Sequence, residues 1–205
     1  MKTVLRRCSV VILAGFLIGC AFGPGSLFAS PSPVGPGGQP GIFDGGPPVD
    51  WDHPYGLAGR QNVDQAALVA NPASLGLSIT PIEPKLSGAK LRWIDVSAPG
   101  PGTTVAYMFD FSGQPGFSAD SRVAVQEWKS DSTQDELINT NWVPAKPTFI
   151  PVGPITIVVR PTGGHEEAWI IYKGTFYDID GPALGSAQAT DIATELADQL
   201  VGSVN

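Results

Sequence analysis

The sequence feature that most limits the fold of this chain is a stretch of 30 residues, 21–50, in which 8 residues are Gly and 7 are Pro. Proline lacks a backbone N–H and glycine loses the most conformational entropy on ordering, so such a stretch sustains neither a helix nor a central strand. It also carries too little apolar surface to offset that entropy. The sequence therefore predicts a disordered tether within residues 20–50 and a single globular domain over residues 51–205.

The residues before the tether are typical of a secretory leader. Three basic side chains lie among the first seven residues, and residues 8–22 contain no charged side chain. An uncharged run of this length fits a signal peptide and is shorter than the ~20 residues that a membrane-spanning helix needs. We therefore predict a signal peptide over residues 1–19, with a permanent membrane anchor as the alternative.

The end of the uncharged run is Leu17-Ile18-Gly19-Cys20. This segment resembles the bacterial lipobox, in which the cysteine thiol takes a diacylglyceryl group and a small preceding residue lets the signal peptidase reach the bond. The resemblance implies lipid attachment at Cys20 and a location at the bacterial cell membrane, facing the extracytoplasmic side. Two alternatives remain: Cys20 is only a small apolar residue of the run, or ordinary cleavage follows Leu27-Phe28-Ala29, where Leu27 fits poorly because it is bulky.

The charge balance and the cysteine count exclude several classes of protein. The chain has 12 Lys and Arg against 19 Asp and Glu, a formal net charge of −7, which becomes −10 when the leader is removed. An acidic surface is repelled by nucleic acids and by anionic headgroups, so we expect no nucleic-acid partner and a membrane attachment that depends on lipid. Cys8 and Cys20 are the two cysteines of the chain, too few for a disulfide scaffold.

The apolar pattern of the domain predicts several strands joined by short turns. Residues 155–160 are rich in β-branched side chains, as strands are. Residues 167–172 and 175–179 flank Lys173-Gly174, which is typical of a two-residue hairpin because Gly adopts a positive φ readily. Similar patterns predict further strands over residues 75–79, 91–97, 103–111 and 121–129.

The end of the chain has the pattern of an amphipathic helix. In residues 188–201 apolar side chains recur every four positions, with Ser186 and Gly202 placed to cap the two ends. Antiparallel strands with one such helix favour an α+β fold, in which the C-terminal helix packs on one face of the sheet. Short helices are also predicted over residues 64–70, with Asn62 or Asp64 as the cap and Pro72 closing it, and over residues 135–138.

These segments follow one another as a short helix and strand, a Pro-x-x-Pro turn, sheet strands, a Trp-bearing hairpin and a capped helix. The order resembles a domain of unknown function from bacterial extracytoplasmic proteins, found in lipoproteins and in the outer part of anti-sigma-factor-like or sporulation-associated membrane proteins. The resemblance rests on pattern, departs from the family over residues 86–90, and implies no catalytic residues. The matching segments are residues 75–79, 81–84, 105–111, 155–159, 169–179 and 188–200.

No catalytic set is evident in the sequence. Gly-x-Ser-x-Gly is absent, and Cys20 is assigned to lipid. His165 with its two following glutamates has the side chains of a metal or acid–base cluster but no second ligand at helical spacing, so a solvated hairpin tip is the favoured interpretation. Asp178-Ile179-Asp180-Gly181 resembles a calcium loop, but Ala189 stands where the closing carboxylate belongs, which favours a strand end. We therefore predict no enzyme, no cofactor and no metal.

Two functions remain open. The first is a non-catalytic binding or sensory module, with a protein partner at the envelope; Trp51, Tyr55 and Trp142, in predicted loops, are candidates for an exposed partner patch. The alternative is a carrier that holds a lipid or other apolar ligand in a cavity between the sheet and the helix. Aromatic residues on predicted strands serve either the core or that cavity: Trp93, Tyr107, Phe109, Trp128, Trp169, Tyr172 and Phe176.

Overall fold

The computed structural model describes residues 59–97, 99–100, 102–117, 120–140, 146–162 and 164–202. In this part of the chain seven strands form one antiparallel sheet, accompanied by three α-helices and a short 3₁₀ helix at Pro72–Leu75. The strands are β1 (Lys90–Val96), β2 (Val105–Asp110), β3 (Arg122–Lys129), β4 (Thr148–Val152), β5 (Ile155–Thr162), β6 (His165–Tyr172) and β7 (Thr175–Asp180). The α-helices are α1 (Gln65–Ala70), α2 (Gln134–Ile138) and α3 (Ser186–Gly202).

The sheet is made of two meanders joined side by side. Its strand order is β1-β2-β3-β7-β6-β5-β4, so the last strand of the second meander pairs with the last strand of the first. All six pairings are antiparallel. Together with the helices, this confirms the α+β class predicted from the sequence.

Helix α3 packs on one face of the sheet, mainly against β5 and β6. Its inner side and the facing strand residues form one continuous apolar cluster. Half of its buried side chains are alanines, which let the helix backbone approach the sheet closely. The helix begins at Ser186, two residues before the predicted start, so Ser186 is its first residue rather than its cap. The buried side chains are Ala189, Ile192, Ala193, Leu196, Ala197 and Leu200.

The β6–β7 turn and the two short helices follow local sequence signals. Tyr172 pairs with Thr175, and both turn residues have positive φ, 49° at Lys173 and 76° at Gly174. Such angles define the mirror-image turn that matches the twist of a hairpin. Asp64 caps α1 by accepting the N–H of Ala66 at 2.8 Å. The predictions of this hairpin and of both short helices are confirmed.

Two regions differ from the sequence-based expectations. The strand predicted over residues 75–79 is wrong: Leu75 is the last residue of the 3₁₀ helix, Gly76 follows with φ of 82°, and residues 76–79 belong to no strand. The 3₁₀ helix forms because the Asn71 side chain accepts the N–H of Ser74 at 3.2 Å and Pro72 fits the first helical turn. Strand β4 was not predicted, because Pro151 interrupts its short apolar run. A proline is tolerated on an edge strand, and β4 pairs only with β5 within the described residues.

The opposite edge of the sheet is partly covered by the segment that precedes α1. Arg60 and Val96 exchange two backbone hydrogen bonds, of 2.7 and 2.9 Å. The N–H of Val63 donates to the carbonyl of Ile94 at 2.7 Å. The outer backbone groups of β1 are therefore satisfied along part of the strand.

The face opposite α3 carries a second apolar cluster together with polar side chains. Trp128 and Phe176 stack with ring centroids 4.4 Å apart, and Leu137 of α2 belongs to the same cluster. Core packing, the expectation for the strand aromatics, is confirmed for the five that are buried, while Trp93 and Tyr172 are half-buried. The buried five are Tyr107, Phe109, Trp128, Trp169 and Phe176.

Candidate functional site

Five titratable side chains meet on the sheet face opposite α3, and we call them the ionic cluster: Arg160, His165, Glu167, Asp178 and Asp180. Arg160 lies directly across from Glu167 in the β5–β6 register. The β6–β7 register continues this row, because Ala168 pairs with Ile179 and thus brings Glu167 beside Asp180. Successive residues of a strand point to opposite faces, so the odd positions of β6 and the even positions of β5 and β7 share one face. Apart from His165, each is at most 6% exposed.

Arg160 and Glu167 form a buried ion pair between neighbouring strands. The Nε of Arg160 donates to Oε1 of Glu167. The guanidinium carbon also lies 4.1 Å from the ring centroid of Trp169, close enough for a cation–π contact. Removing one member of such a pair would leave an uncompensated charge in the interior.

His165 pairs with Asp180 at the edge of the same cluster. Its Nε2 is 2.8 Å from Oδ1 of Asp180, which also accepts the N–H of Gly181 at 2.7 Å. The side chain of His165 is 14% exposed. The interpretation of His165, Glu166 and Glu167 as a solvated hairpin tip is therefore wrong for His165 and Glu167. Both belong to β6, and the strand turns their side chains towards the acids of β7.

The pKa of Asp178, a member of the ionic cluster, is raised by its surroundings. Complete burial raises its pKa well above the ordinary value, and the negative charges of Glu167 and Asp180 raise it further. Arg160 and the indole of Trp169 oppose the shift but do not cancel it. Asp178 therefore holds its proton more firmly than an exposed aspartate does. As the sequence predicted, residues 178–181 are a strand end and not a calcium loop, since Asp178 and Asp180 both lie in β7.

The ionic cluster contains acid–base groups, but its five members line neither of two clefts in the described part of the chain. Over the same part of the chain, no three His, Cys, Asp or Glu side chains are arranged to hold a metal ion. The buried ion pair and the His165–Asp180 contact therefore act, in the described structure, as links between strands.

On the α3 side of the sheet a buried carboxyl group lies between two tyrosines. Glu127 on β3 is fully buried, is paired with Tyr177 of β7, and accepts the N–H of Ile82 at Oε2 over 3.1 Å. Burial raises the pKa of Glu127 well above its ordinary value, with the Ile82 hydrogen bond opposing the shift. Burial and the nearby Glu127 also raise the pKa of Tyr107 and of Tyr177, so both hydroxyls stay protonated at neutral pH.

The sequence reasoning missed Glu127, although a signal for it exists. Val123 and Val125 precede it at two-residue intervals in the predicted strand over residues 121–129, which places all three on one face. A carboxylate in phase with two buried valines is predicted to point inwards.

Next to this carboxyl is a cleft of about 510 Å³, which we call the hairpin cleft. One wall is formed by residues 78–82, and the other boundaries are the end of β3, the β6–β7 hairpin and Leu200 of α3. Two lysines, Lys129 and Lys173, line it together with Tyr172 and Tyr177. None of the described residues that line it is acidic or a histidine.

A second, more open cleft of about 670 Å³ lies on the outer side of α3. It is lined by Asp191, Glu195 and Asp198 together with Lys85. The carboxylate of Glu195 already accepts the N–H and the O–H of Ser87, at 2.9 and 2.6 Å. This surface is acidic and partly occupied by contacts within the chain.

Several predicted functional residues lie outside the part of the chain that the structure describes. They are Cys20 with the signal peptide and tether, and the loop aromatics Trp51, Tyr55 and Trp142. Among the described residues no helix is both long enough and apolar enough to cross a membrane.

Comparison of the chain with protein-family models, with curated proteins and with solved structures gives no match. The resemblance to an extracytoplasmic domain of unknown function therefore remains a prediction from the order of the elements.

Proposed function

We propose that this chain is a lipid-anchored extracytoplasmic protein whose domain binds a ligand or partner without transforming it. The observation that carries this proposal is the hairpin cleft, a concave site bounded by four separate segments. Its volume lies within the range of roughly 300–1,000 Å³ of small-molecule sites. The described residues of its lining supply ammonium groups, hydroxyls and aromatic rings, and none of them is the His or carboxylate that most often serves as general base.

The sequence supports the location. An uncharged run that ends in Leu17-Ile18-Gly19-Cys20, followed by a Gly- and Pro-rich stretch, has the order expected of a lipoprotein leader, a lipidated cysteine and a spacer. Several acyl chains hold a protein firmly at a membrane, whereas the acidic domain contributes no electrostatic attraction to anionic lipid.

The alternative, a carrier of an apolar ligand, has less support. It needs a cavity between the sheet and the C-terminal helix. In the described structure the inner side of α3 and the facing strand residues are packed into one cluster. Leu196 is 0% exposed and Ile192 is 4% exposed within it. Binding at the edge of the domain is therefore favoured over binding in its centre.

The location is tested by expressing the full chain in bacteria and measuring its mass and its distribution between membrane and soluble fractions. We expect a membrane-bound product that starts at Cys20 and carries the mass of the lipid. Cys20→Ala should lose the lipid and leave the membrane fraction or remain unprocessed. Cys8→Ala is the matched control, because it removes a thiol from the leader and should change nothing. An unprocessed wild-type chain in the cytosol would overturn the proposed location.

The binding role is tested by native mass spectrometry of the domain released from membranes. A co-purified solute supports the binding module if its binding shifts the NMR resonances of the backbone amides around the hairpin cleft. A co-purified lipid whose release loosens the α3–sheet interface, seen as faster hydrogen exchange in α3, would instead favour the carrier.

A further inference from the structure

The hairpin cleft brings together two positive charges in an acidic protein, one at the end of β3 and one in the β6–β7 turn. Lys129 is the last residue of β3 and pairs with Thr175, the first residue of β7. Lys173 lies in the turn two residues before Thr175. Both lysines line the cleft, together with Gly174, the second residue of the turn. Their ammonium groups therefore lie at the same end of the sheet.

Two arginines of the described structure hold shorter ion pairs than Lys129 does. Arg122 donates to Asp120 at 2.7 Å and Arg92 to Asp110 at 3.0 Å. Lys129, in contrast, is 3.8 Å from Asp131, and both side chains are largely exposed to solvent. An exposed pair at that distance contributes little and is screened by salt. Its ammonium group is thus available to a ligand.

Lys173 has no carboxylate within ion-pair distance among the described residues. Its Nζ instead lies 5.1 Å from the ring centroid of Tyr172. Its backbone is in the left-handed region, with φ of 49°, which costs a lysine more than it costs Asn or Gly. The geometry of the turn therefore does not explain a lysine at this position, and the ammonium group beside the cleft is the feature that distinguishes it.

The remaining lining residues suit the body of an organic molecule. Tyr177 and Ile79 offer apolar surface, and Leu200 closes the cleft from the side of α3. Thr80 adds a hydroxyl group. Ammonium groups attract carboxylate and phosphate as point charges, and a cleft lined by one sign of charge raises the local concentration of the opposite ion.

We propose that the hairpin cleft binds a small organic anion, with a carboxylate or phosphate group held by Lys129 and Lys173 and its body against Tyr172 and Tyr177. This inference rests on the proposed binding function and specifies its ligand class. The same group occurs on a free solute and on a lipid headgroup, and the experiment separates these two sources.

The experiment uses the domain released from membranes, in low-salt buffer at neutral pH. The probes are phenyl phosphate and benzoate, with benzyl alcohol as the uncharged probe, followed by amide chemical shifts in an NMR titration. We expect saturable shifts around Ser130, Lys173 and Gly174 with both anions, weakened by added salt. Benzyl alcohol should give none at concentrations on the order of 10 mM, well above a millimolar dissociation constant.

Variants identify the groups responsible. Lys129→Ala and Lys173→Asn should each weaken anion binding about tenfold, the loss expected when a charged hydrogen-bonding group is removed. Asn suits the turn, so Lys173→Asn keeps the hairpin folded. Lys90→Ala is the matched control, because Lys90 begins β1, outside the cleft, and carries the same charge. Equal affinity in all four proteins, or no saturable shift with either anion, would overturn the proposal.

Vesicles separate the two sources of the anion. Binding to vesicles that contain phosphatidylglycerol, but not to pure phosphatidylcholine vesicles, with the same dependence on Lys129, would assign the cleft to a headgroup. Binding of the soluble anions without vesicle binding would assign it to a solute. If the cleft prefers an uncharged compound, the anion assignment fails while the binding module stands. The lipidation of Cys20 is tested independently of the cleft, by the mass and membrane fractionation of the full chain.

Discussion

The backbone N–H of Ile82 donates a hydrogen bond of 3.1 Å to Oε2 of Glu127. A buried carboxyl group of a central strand thereby holds the segment that forms one wall of the hairpin cleft. The contact joins the interior of the sheet to the site, and it makes the protonation of Glu127 relevant to stability.

We predict that Glu127→Gln reduces the dependence of stability on pH. The pKa of Glu127 is raised in the folded state. Its contribution to the free energy of unfolding is therefore complete below its ordinary pKa of 4.5 and is lost as the pH rises through the folded-state pKa. Within that window the wild type loses about 1.4 kcal/mol per pH unit from this group. The check is urea unfolding from pH 4 to pH 8.

The control for this prediction is Glu83→Gln, which changes an exposed glutamate in the segment that Glu127 holds. In this variant the free energy of unfolding should depend on pH as steeply as it does in the wild type. Equal slopes for Glu127→Gln and the wild type would show that Glu127 does not carry the dependence.

A second prediction concerns the ion pair between β5 and β6. Arg160→Met should lower the free energy of unfolding by about 3–5 kcal/mol, because it leaves the buried carboxylate of Glu167 without its partner. Adding Glu167→Leu to the same protein should recover most of that loss, since the buried charge is then removed. Equilibrium urea unfolding of the two proteins measures both effects.

The exposed pair of Arg92 and Asp110 provides the comparison for the buried one. Arg92 is 54% exposed, so Arg92→Met should cost no more than about 1 kcal/mol. Should Arg160→Met and Arg92→Met cost the same, the burial of the Arg160 pair would have no energetic consequence.

Asp178→Asn should raise the melting temperature at pH 7. The substitution removes a carboxylate whose pKa is raised by burial and by Glu167 and Asp180. The raised pKa means that Asp178 stabilises the fold fully below its ordinary value of 3.8 and less as the pH rises through the folded-state pKa. A gain of about 1 kcal/mol corresponds to roughly 2–4 °C in a domain of this size.

Calorimetry at two pH values separates this effect from a general change of charge. The gain of Asp178→Asn over the wild type should be largest at pH 7 and should shrink towards pH 4. Asp198→Asn removes the same charge from the exposed side of α3 and should show no such trend. A lower melting temperature for Asp178→Asn at pH 7 would mean that the ionised carboxylate is needed by its neighbours.

The turn between β6 and β7 gives a fourth prediction. Lys173→Asn should stabilise the domain by about 0.5–1 kcal/mol, because Asn tolerates the left-handed backbone better than Lys does. Lys173→Val should destabilise it, since β-branched side chains are poorly accommodated at positive φ. Thermal unfolding followed by circular dichroism ranks the three proteins; any other order would contradict the assigned turn.

The sequence predicted the elements whose signals are local. The hairpin at Lys173-Gly174 and the helix that contains Ile192 and Leu196 each depend on a few neighbouring residues, and both were confirmed. Strand β4, in contrast, is not evident from its own residues, because Pro151 disfavours a strand. It forms because it pairs with β5 at the edge of the sheet, where a proline is tolerated.

The candidate site was less predictable because its parts come from distant segments. Ile82, Lys129, Lys173 and Leu200 meet only after the sheet and α3 are assembled. His165 was interpreted as part of a solvated hairpin tip because the sequence around it offers no second ligand at helical spacing. Its partner Asp180, whose Oδ1 is 2.8 Å from Nε2 of His165, lies on the next strand. A pattern within one segment does not reveal a contact between two strands.

Both edges of the sheet are partly blocked against further strands, and this matters where many copies of the domain lie close together. On one side Pro151 withholds a backbone N–H from any incoming neighbour, and on the other Arg60 already occupies part of the pairing positions. Unprotected borders invite strand-by-strand polymerisation between identical molecules. We therefore expect little edge-to-edge pairing between copies of this domain at high local concentration, which leaves the hairpin cleft of each copy accessible.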